Sequence, residues 1–487
     1  MSETVVSTEV LPCKLINSME EHLEASGTHL LKIFLHVSLL LLSVSSSSAQ
    51  TVNHSLSDFV DAATRHLPIL LQKKALVNSA KAGVVDARHT FLPTLNAIDE
   101  MNIASANSLP GAYESFGIIP SVSSSVSARN NYQAATGDIA ILYSEYELIT
   151  FGLRNATVRE AQSVEGARQA DLDKQTYLIK AQIGKLYFNL LKTEYQLGVE
   201  QQNILRYTTI DTVIHALTFS GIRPGVDSSF ALAELSKARV AYNEQLGKLG
   251  QLTQQLSWLT GIPADQVAVD TTGRSFIFPD PTLLRNITDP LNNPLIVYYL
   301  KQKQYYQSAE DLVSKSYLPK IVLSTGAWGR GSSIDYTEQY KDLATGVGFQ
   351  RFNYMVGLTF AYDLFDPVHR RDKVAQARFE TQASGYDLQQ QELTLNSDAA
   401  QAMEVIKEAE SNLREIPIQM QAASDAYEQK IAQYKAGLIN LVDLTEASYV
   451  LYTAQISYVE TLNNWFLGNL DKATATGNLD QFIQRIK

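Results

Sequence analysis

The residues of this 487-residue chain with most chemistry to offer are three carboxylates set beside two short turns. Asp227 closes the run Phe219-Ser220-Gly221-Ile222-Arg223-Pro224-Gly225-Val226, Asp443 closes Gly437-Leu438-Ile439-Asn440-Leu441-Val442, and Glu446 follows one helical turn later. Carboxylates held at a turn and repeated about an axis would form rings that favour cations and repel one another, so a passage lined by them is easily biased open. The same residues have a local use. Asp227 can cap the helix it begins, and Asn440 with Asp443 has capping-box spacing, which would satisfy orphan amide donors at the positive end of the helix dipole. Sequence leaves both uses open. Elsewhere the chemistry is sparse. His22, His29, His36, His54, His66, His89, His215 and His369 are scattered and show no metal-ligand spacing, and Cys13 is the one cysteine. There is no phosphate-binding glycine loop and no nucleophile elbow. The pattern points away from an enzyme and implies neither a metal nor a cofactor.

Charged residues make up 19% of the chain, against about 25% in an average soluble domain, and the formal net charge is -11. With no run of Lys or Arg, nothing electrostatic calls for nucleic acid. The one long apolar run, Leu30 to Val44, is too short and too polar-flanked for a transmembrane helix, but it has the apolar core and small-residue exit of a secretory signal. Residues 1–49 are therefore expected to form a signal peptide with an N-terminal extension, cleaved between Ala49 and Gln50. Cys13 would leave with it, and its place before the apolar run argues against an acyl anchor. The mature chain would carry no disulfide.

The chain repeats itself at a constant offset. Tyr146-Glu147-Leu148 matches Tyr362-Asp363-Leu364; Arg154, Val158 and Ala161 match Arg370, Val374 and Ala377. Gly221, Val226, Asp227, Leu235, Ala238 and Tyr242 match Gly437, Val442, Asp443, Leu451, Ala454 and Tyr458, every pair 216 residues apart. An unchanged offset over so long a stretch means two helical hairpins of equal length. The copies are expected at 50–260 and 291–473, with a proline-rich irregular connection over 261–290 around the waist of the helical part, and a tail over 474–487.

Each copy opens with strand-like sequence around a polar loop, 105–137 in the first and 329–349 in the second. In Phe352 to Leu364 the large residues Phe352, Tyr354, Val356, Leu358, Phe360, Tyr362 and Leu364 share one face, while Asn353, Met355, Gly357, Thr359, Ala361 and Asp363 share the other. That alternation suits a barrel wall between lipid and water, with Phe352, Tyr354, Val356, Leu358, Phe360 and Tyr362 facing the membrane. Aromatics such as Trp328, Phe352, Tyr354 and Tyr362 suit the membrane interfaces. Lys320 to Gly329, Thr94 to Ala104 and Asp138 to Ile149 read as weaker strands, with Asp99 awkward on any lipid face. From Leu153 to Ser220 there is no proline, and Val158, Ala161, Leu172, Ile179, Leu186, Leu190, Leu197 and Leu205 keep a helical period. Such a helix would be on the order of 100 Å long, and its partner after Asp227 should pack on it as an antiparallel coiled coil. Pro417 interrupts the corresponding helix of the second copy and should kink it, because it removes one backbone donor and crowds the preceding turn.

The order Leu-Pro, strand, polar loop, strand ending in Tyr-acid-Leu, a basic helix start (Leu153-Arg154, Arg370-Arg371), a long helix, then Gly-x-x-x-x-Val-Asp opening a second helix, all written twice, resembles the TolC outer-membrane efflux family. The resemblance covers about residues 54 to 473. It implies an α+β membrane protein: a homotrimer whose protomers each give four strands to a shared 12-stranded outer-membrane β-barrel, continued by a long periplasmic α-helical coiled-coil barrel. It further implies a passive gated exit duct in the outer membrane, extending into the periplasm and coupled through a periplasmic adaptor to an inner-membrane pump of the RND or ABC type. Gly221, Ile222, Arg223, Gly437, Leu438 and Ile439 then become adaptor contacts, and Asp227, Asp443 and Glu446 gate residues. Members of the family place a basic residue where this chain has Ile439, so Arg223, at the equivalent position of the first turn, is the expected substitute. Two alternatives stand beside this reading: the outer-membrane component of type I protein secretion, and a periplasmic coiled-coil scaffold or adaptor without a pore.

Overall fold

The computed structural model describes residues 54–107, 129–269 and 292–486. The expected leader with Cys13, the centre of the first polar loop and most of the 261–290 connection lie outside these residues. In order, the elements are α1 (Leu56–His66), α2 (Pro68–His89), β1 (Thr94–Ala104), β2 (Ala135–Ile149), α3 (Leu153–Phe219), α4 (Gly225–Thr260), α5 (Pro294–Ser316), β3 (Lys320–Ser332), β4 (Arg351–Ala361), α6 (Asp366–Lys435), α7 (Leu441–Thr476) and α8 (Leu479–Arg485).

Four strands make one antiparallel sheet in the order β1-β2-β3-β4. Their lower ends join helices and their upper ends join the polar loops. Both outer strands have an unpaired edge: every residue of β1 is exposed, and so is every residue of β4 except Gly357 and Ala361. β4 stops at Ala361, three residues short of the expected Leu364, because Tyr362-Asp363-Leu364 turns the chain into α6, with the Asp363 carboxylate accepting from Phe365 N at 2.8 Å.

Two hairpins stand below the sheet. α3 has 67 residues and α6 has 70, about 100 Å each at 1.5 Å per residue, while α4 and α7 both have 36. Both turns close identically. Gly221 N–H donates to Thr218 O and Ile222 N–H to Leu217 O; Gly437 N–H donates to Tyr434 O and Leu438 N–H to Gln433 O. These are Schellman pairs around glycines at φ +71° and +77°, a conformation that costs a residue with a side chain about 1 kcal/mol or more. Pro417 lies inside α6, which runs on through it. It sits on an exposed position beside buried Ile416, where its ring meets solvent and the helix tolerates one missing donor.

Around the waist, α1, α2, α5 and α8 pack against the hairpins and build the largest core, with Phe59, Phe188, Leu190, Leu470 and Phe482 at its centre. Asn293 is wholly buried there. Its side chain caps α5 through Leu295 N–H and donates to Thr474 O and Ala475 O at 3.1 and 3.0 Å, pinning the start of the second copy to the end of α7. A second core sits at the tips, and a third, around Trp465, holds α6 to α7.

The seam of α3 departs from the expected apolar line. Its buried residues below the waist are Thr193, Gln196, Glu200, Asn203, Tyr207, Ile210 and Ile214, spaced alternately three and four apart. That is a heptad seam whose upper part is polar. Leu205, which keeps the helical apolar period, is 66% exposed. Trp465 lies 1% exposed between α6 and α7; replacing it with Ala should cost about 3–5 kcal/mol, read as a several-degree fall in the thermal transition with the helical signal retained below it.

Candidate functional site

At the lower end the two turns lie side by side. Arg223 Nη2 donates to Ile439 O at 2.9 Å, so the two positions that correspond in the internal repeat are tied directly to each other. The same guanidinium lies over the Tyr434 ring, 5.0 Å from its centre. Tyr434 is buried in the tip core with Tyr207, Ile210, Ile214, Leu235, Leu441 and Leu444. Its phenol is pushed up from the usual value, first by burial and then by the charge of Asp227, with Arg223 opposing. Arg223 thus bridges the first turn to a backbone carbonyl and an aromatic face of the second.

The three carboxylates divide between local and unassigned roles. Asn440 is the cap of α7 and accepts from Asp443 N–H at 2.9 Å, which leaves the Asp443 carboxylate half-buried in the first turn and Glu446 exposed one turn on. Asp227 does not cap α4. Pro224 holds that position without a side-chain bond, and Asp227 sits half-buried in the first turn, where the helix dipole favours it. Among the described residues, no salt bridge joins Asp227, Asp443 or Glu446 to a base. The free charge therefore remains on the tips. Gly221, Ile222, Gly437 and Leu438 are exposed around them, Ile222 at 67% and Leu438 at 75%, with Ile439 half-buried beside Arg223.

Above the tips, sequence reasoning missed a polar layer between α3 and α7. Tyr452 donates to Glu200 Oε1 at 2.7 Å, while Arg206 reaches Gln455 Oε1 at 3.2 Å and Asn203 Oδ1 at 3.3 Å. Burial raises the Glu200 carboxyl and lowers the Arg206 guanidinium. Three-and-four spacing from Thr193 to Ile214 was the available signal, hidden because the seam was sought among leucines. Nearly two turns above Glu200, burial holds the half-buried Glu194 carboxyl at about 7.

The sheet has two unlike faces, sorted by the strand register. On one lie Leu95, Met101, Leu142, Leu323, Phe352, Tyr354, Val356, Leu358 and Phe360, with Asp99 and Asp138 as its charges. On the other lie Asn96, Glu100, Asn102, Glu145, Lys320, Arg330, Arg351, Asn353 and Thr359, with Ile98, Ile139, Ile141, Val322 and Met355 between them. The five apolar β4 residues project freely, from 64% to 85% exposed. Tyr362, expected among them, lies just beyond the strand. Trp328, expected at a membrane interface, is on the polar face. Asp99 lies on the apolar face, and Asp138 is covered by the β3–β4 loop, accepting from Gly348 N–H at 3.2 Å. Among the described residues no helix is long and apolar enough to cross a membrane, and no three acidic, His or Cys side chains cluster as a metal site.

Residues 292–468 match the family model for outer membrane efflux proteins. Among solved structures, the outer membrane protein VceC of Vibrio cholerae superposes with a TM-score of 0.71 at 14% identity, covering 87% of this chain and 96% of its own. The Campylobacter jejuni CmeC outer membrane channel gives 0.70 at 16%, covering 89% and 90%, and the open state of the Neisseria gonorrhoeae MtrE outer membrane channel gives 0.66 at 16%, covering 90% and 94%. No curated protein matches the sequence. The resemblance to the TolC outer-membrane efflux family holds: the second half carries an outer membrane efflux protein domain, and nearly the whole described chain has the fold of these channels.

The raised Glu194 carboxyl makes a checkable statement about pH. A carboxyl whose folded value lies above its unfolded 4.5 contributes stability below about 4.5 and loses it as pH rises through about 7. Glu194→Gln removes the loss. Its melting temperature should match the unsubstituted chain's below about pH 4.5 and exceed it above about pH 7; parallel curves would contradict the assignment.

Proposed function

We propose that the chain is the outer-membrane channel of a tripartite efflux system: a passive, gated exit duct that copies of itself close into a barrel. A periplasmic adaptor at the helical tips couples it to an inner-membrane pump. The supporting observation is the sheet. It has an apolar face, a polar face and two unpaired edges, and an unpaired edge is untenable in lipid. β1 and β4 run antiparallel, so β4 of one copy can pair with β1 of the next without reversing any strand. Single-chain barrels start at about eight strands, so four strands per copy require a shared wall, and three copies give the 12 strands implied by the family resemblance. The exposed apolar residues of α6 (Phe379, Tyr386, Leu393, Ile418) and α4 (Leu232, Val240, Trp258) then have an occupant, the neighbouring copy.

Gating follows from the tips. Within each copy Arg223 holds the two turns together, while the unpaired Asp227, Asp443 and Glu446 repel their equivalents across the axis. Removing the tie frees the second hairpin to swing outward. An adaptor that docks on Gly221, Ile222, Gly437 and Leu438 and offers Arg223 another acceptor would do the same. The apolar sheet face suits outer-membrane lipid around the wall, and a passive duct needs no cofactor or metal.

Two variants test this in planar bilayers. Arg223→Ala should raise single-channel conductance several-fold, since an arginine held by a backbone acceptor and an aromatic face is worth on the order of 1–3 kcal/mol. Asp443→Ala with Glu446→Ala should raise conductance and lower cation preference. Unchanged conductance in the first variant would return Arg223 to a merely structural role. Unchanged selectivity in the second would leave Asp443 and Glu446 with the helix start alone.

A further inference from the structure

We propose that the outward end of the pore wall is an anion-attracting girdle built from Arg330 and Arg351, so that the channel discriminates by charge at its exit as well as at its tips. This rests on the reading of the sheet as a pore wall. Arg330 and Arg351 face each other directly as the outermost pair of the β3–β4 ladder. Both are exposed and both lie on the polar face. Like charges directly opposed across a ladder destabilise a sheet, so their juxtaposition works against the fold that carries it. Neither guanidinium forms a salt bridge among the described residues; the one hydrogen bond given to either is from Arg351 Nη1 to Gln350 O at 2.9 Å.

The lower rim of the same face is different. Lys320 pairs with Glu147 at 2.9 Å, and Glu145 accepts from Tyr143, so charge there is matched or engaged. Only the upper row concentrates one sign. The acid on that level, Glu100, lies two strands from Arg330 across Ile139, about 10 Å at the usual strand spacing, and it already accepts from Asn102 at 2.5 Å. Each copy therefore adds two guanidiniums and one carboxylate to this level, and repetition around the barrel multiplies the excess. Rings of Arg lining a pore favour anions and phosphate-like groups, and low-dielectric walls lined by one sign of charge focus their field. Two residues further in, Trp328 sits on the same face, a flat apolar surface beneath the cations. The chemistry that fits is a multivalent anion bearing carboxylate, sulfate or phosphate groups, drawn outward past acidic tips that favour the opposite sign.

The test uses the full chain in planar bilayers, in the Asp443→Ala, Glu446→Ala background so that the tips do not set the current. Inorganic pyrophosphate added on the loop side should block the current, while spermidine on that side should not. In Arg330→Gln with Arg351→Gln the half-blocking concentration should rise roughly tenfold, within the range by which focused potentials raise local ligand concentration. Arg330→Lys with Arg351→Lys should keep the block, which a loss of folding would not explain. Equal block by both polyions, or block unchanged in the Gln variant, would overturn the proposal; so would no block at all, as when Glu100 of the neighbouring copy neutralises Arg351. A chain that forms no channel before any substitution would sink the pore reading itself.

Discussion

An unpaired strand edge cannot be left in hydrocarbon, and the proposed channel is built around that constraint. Each backbone N–H or C=O stranded there costs several kcal/mol, and the outer edges of β1 and β4 expose a full row of them. A protomer standing alone has no remedy, because its four strands are too few to curl back on themselves. Copies of the same chain do, since the antiparallel order lets each β4 meet the next β1. In the proposed ring the exposed apolar residues along α4 and α6 face the neighbouring copy, and the apolar face of the sheet faces lipid.

The helices carry the arrangement downward at nearly constant length. Equal hairpins with identical Schellman turns bring both tips to one level, which is why Arg223 and Ile439, equivalent by the repeat, can touch. Between waist and tip the contact of α3 with α7 passes through a polar layer of Glu200, Asn203, Arg206 and Tyr452 in place of packed leucine. Buried polar positions in a coiled-coil seam fix register at a cost in stability. Here they lie between the two hairpins that, in the proposed gating, move relative to each other when the tips part. An apolar seam would be indifferent to small slides; hydrogen bonds with fixed partners give it discrete positions.

Much of this plan was legible in the sequence because it rests on repetition and period. The constant spacing of the two copies, the bounds of β1 and α3, the alternation in β4 and the glycines of the turns all follow from local rules. What the sequence concealed depends on which of several periods a tertiary contact selects. Leu205 obeys a helical period yet faces outward, while Glu200 and Asn203 take the seam. Trp328 looked like an interface aromatic until strand register placed it with Arg330 and Asn353 on the polar face. Asp227 had the composition of a cap, but Pro224 fills that position. The Arg330–Arg351 pairing is invisible without register, since the two residues are distant in sequence and flank a loop.

The central claim is that β1 and β4 edges pair between copies, and the most direct test is a cross-linking scan. In a Cys13→Ser background, single cysteines stepped along β1 are combined with a cysteine at Asn353 on β4, and the membrane-extracted protein is oxidised in detergent. The account predicts covalent oligomers at one register and its alternate-residue neighbours, ending in a closed ring of three chains. A chain that yields no intermolecular disulfide at any register, and that purifies as a water-soluble monomer without detergent, would contradict it.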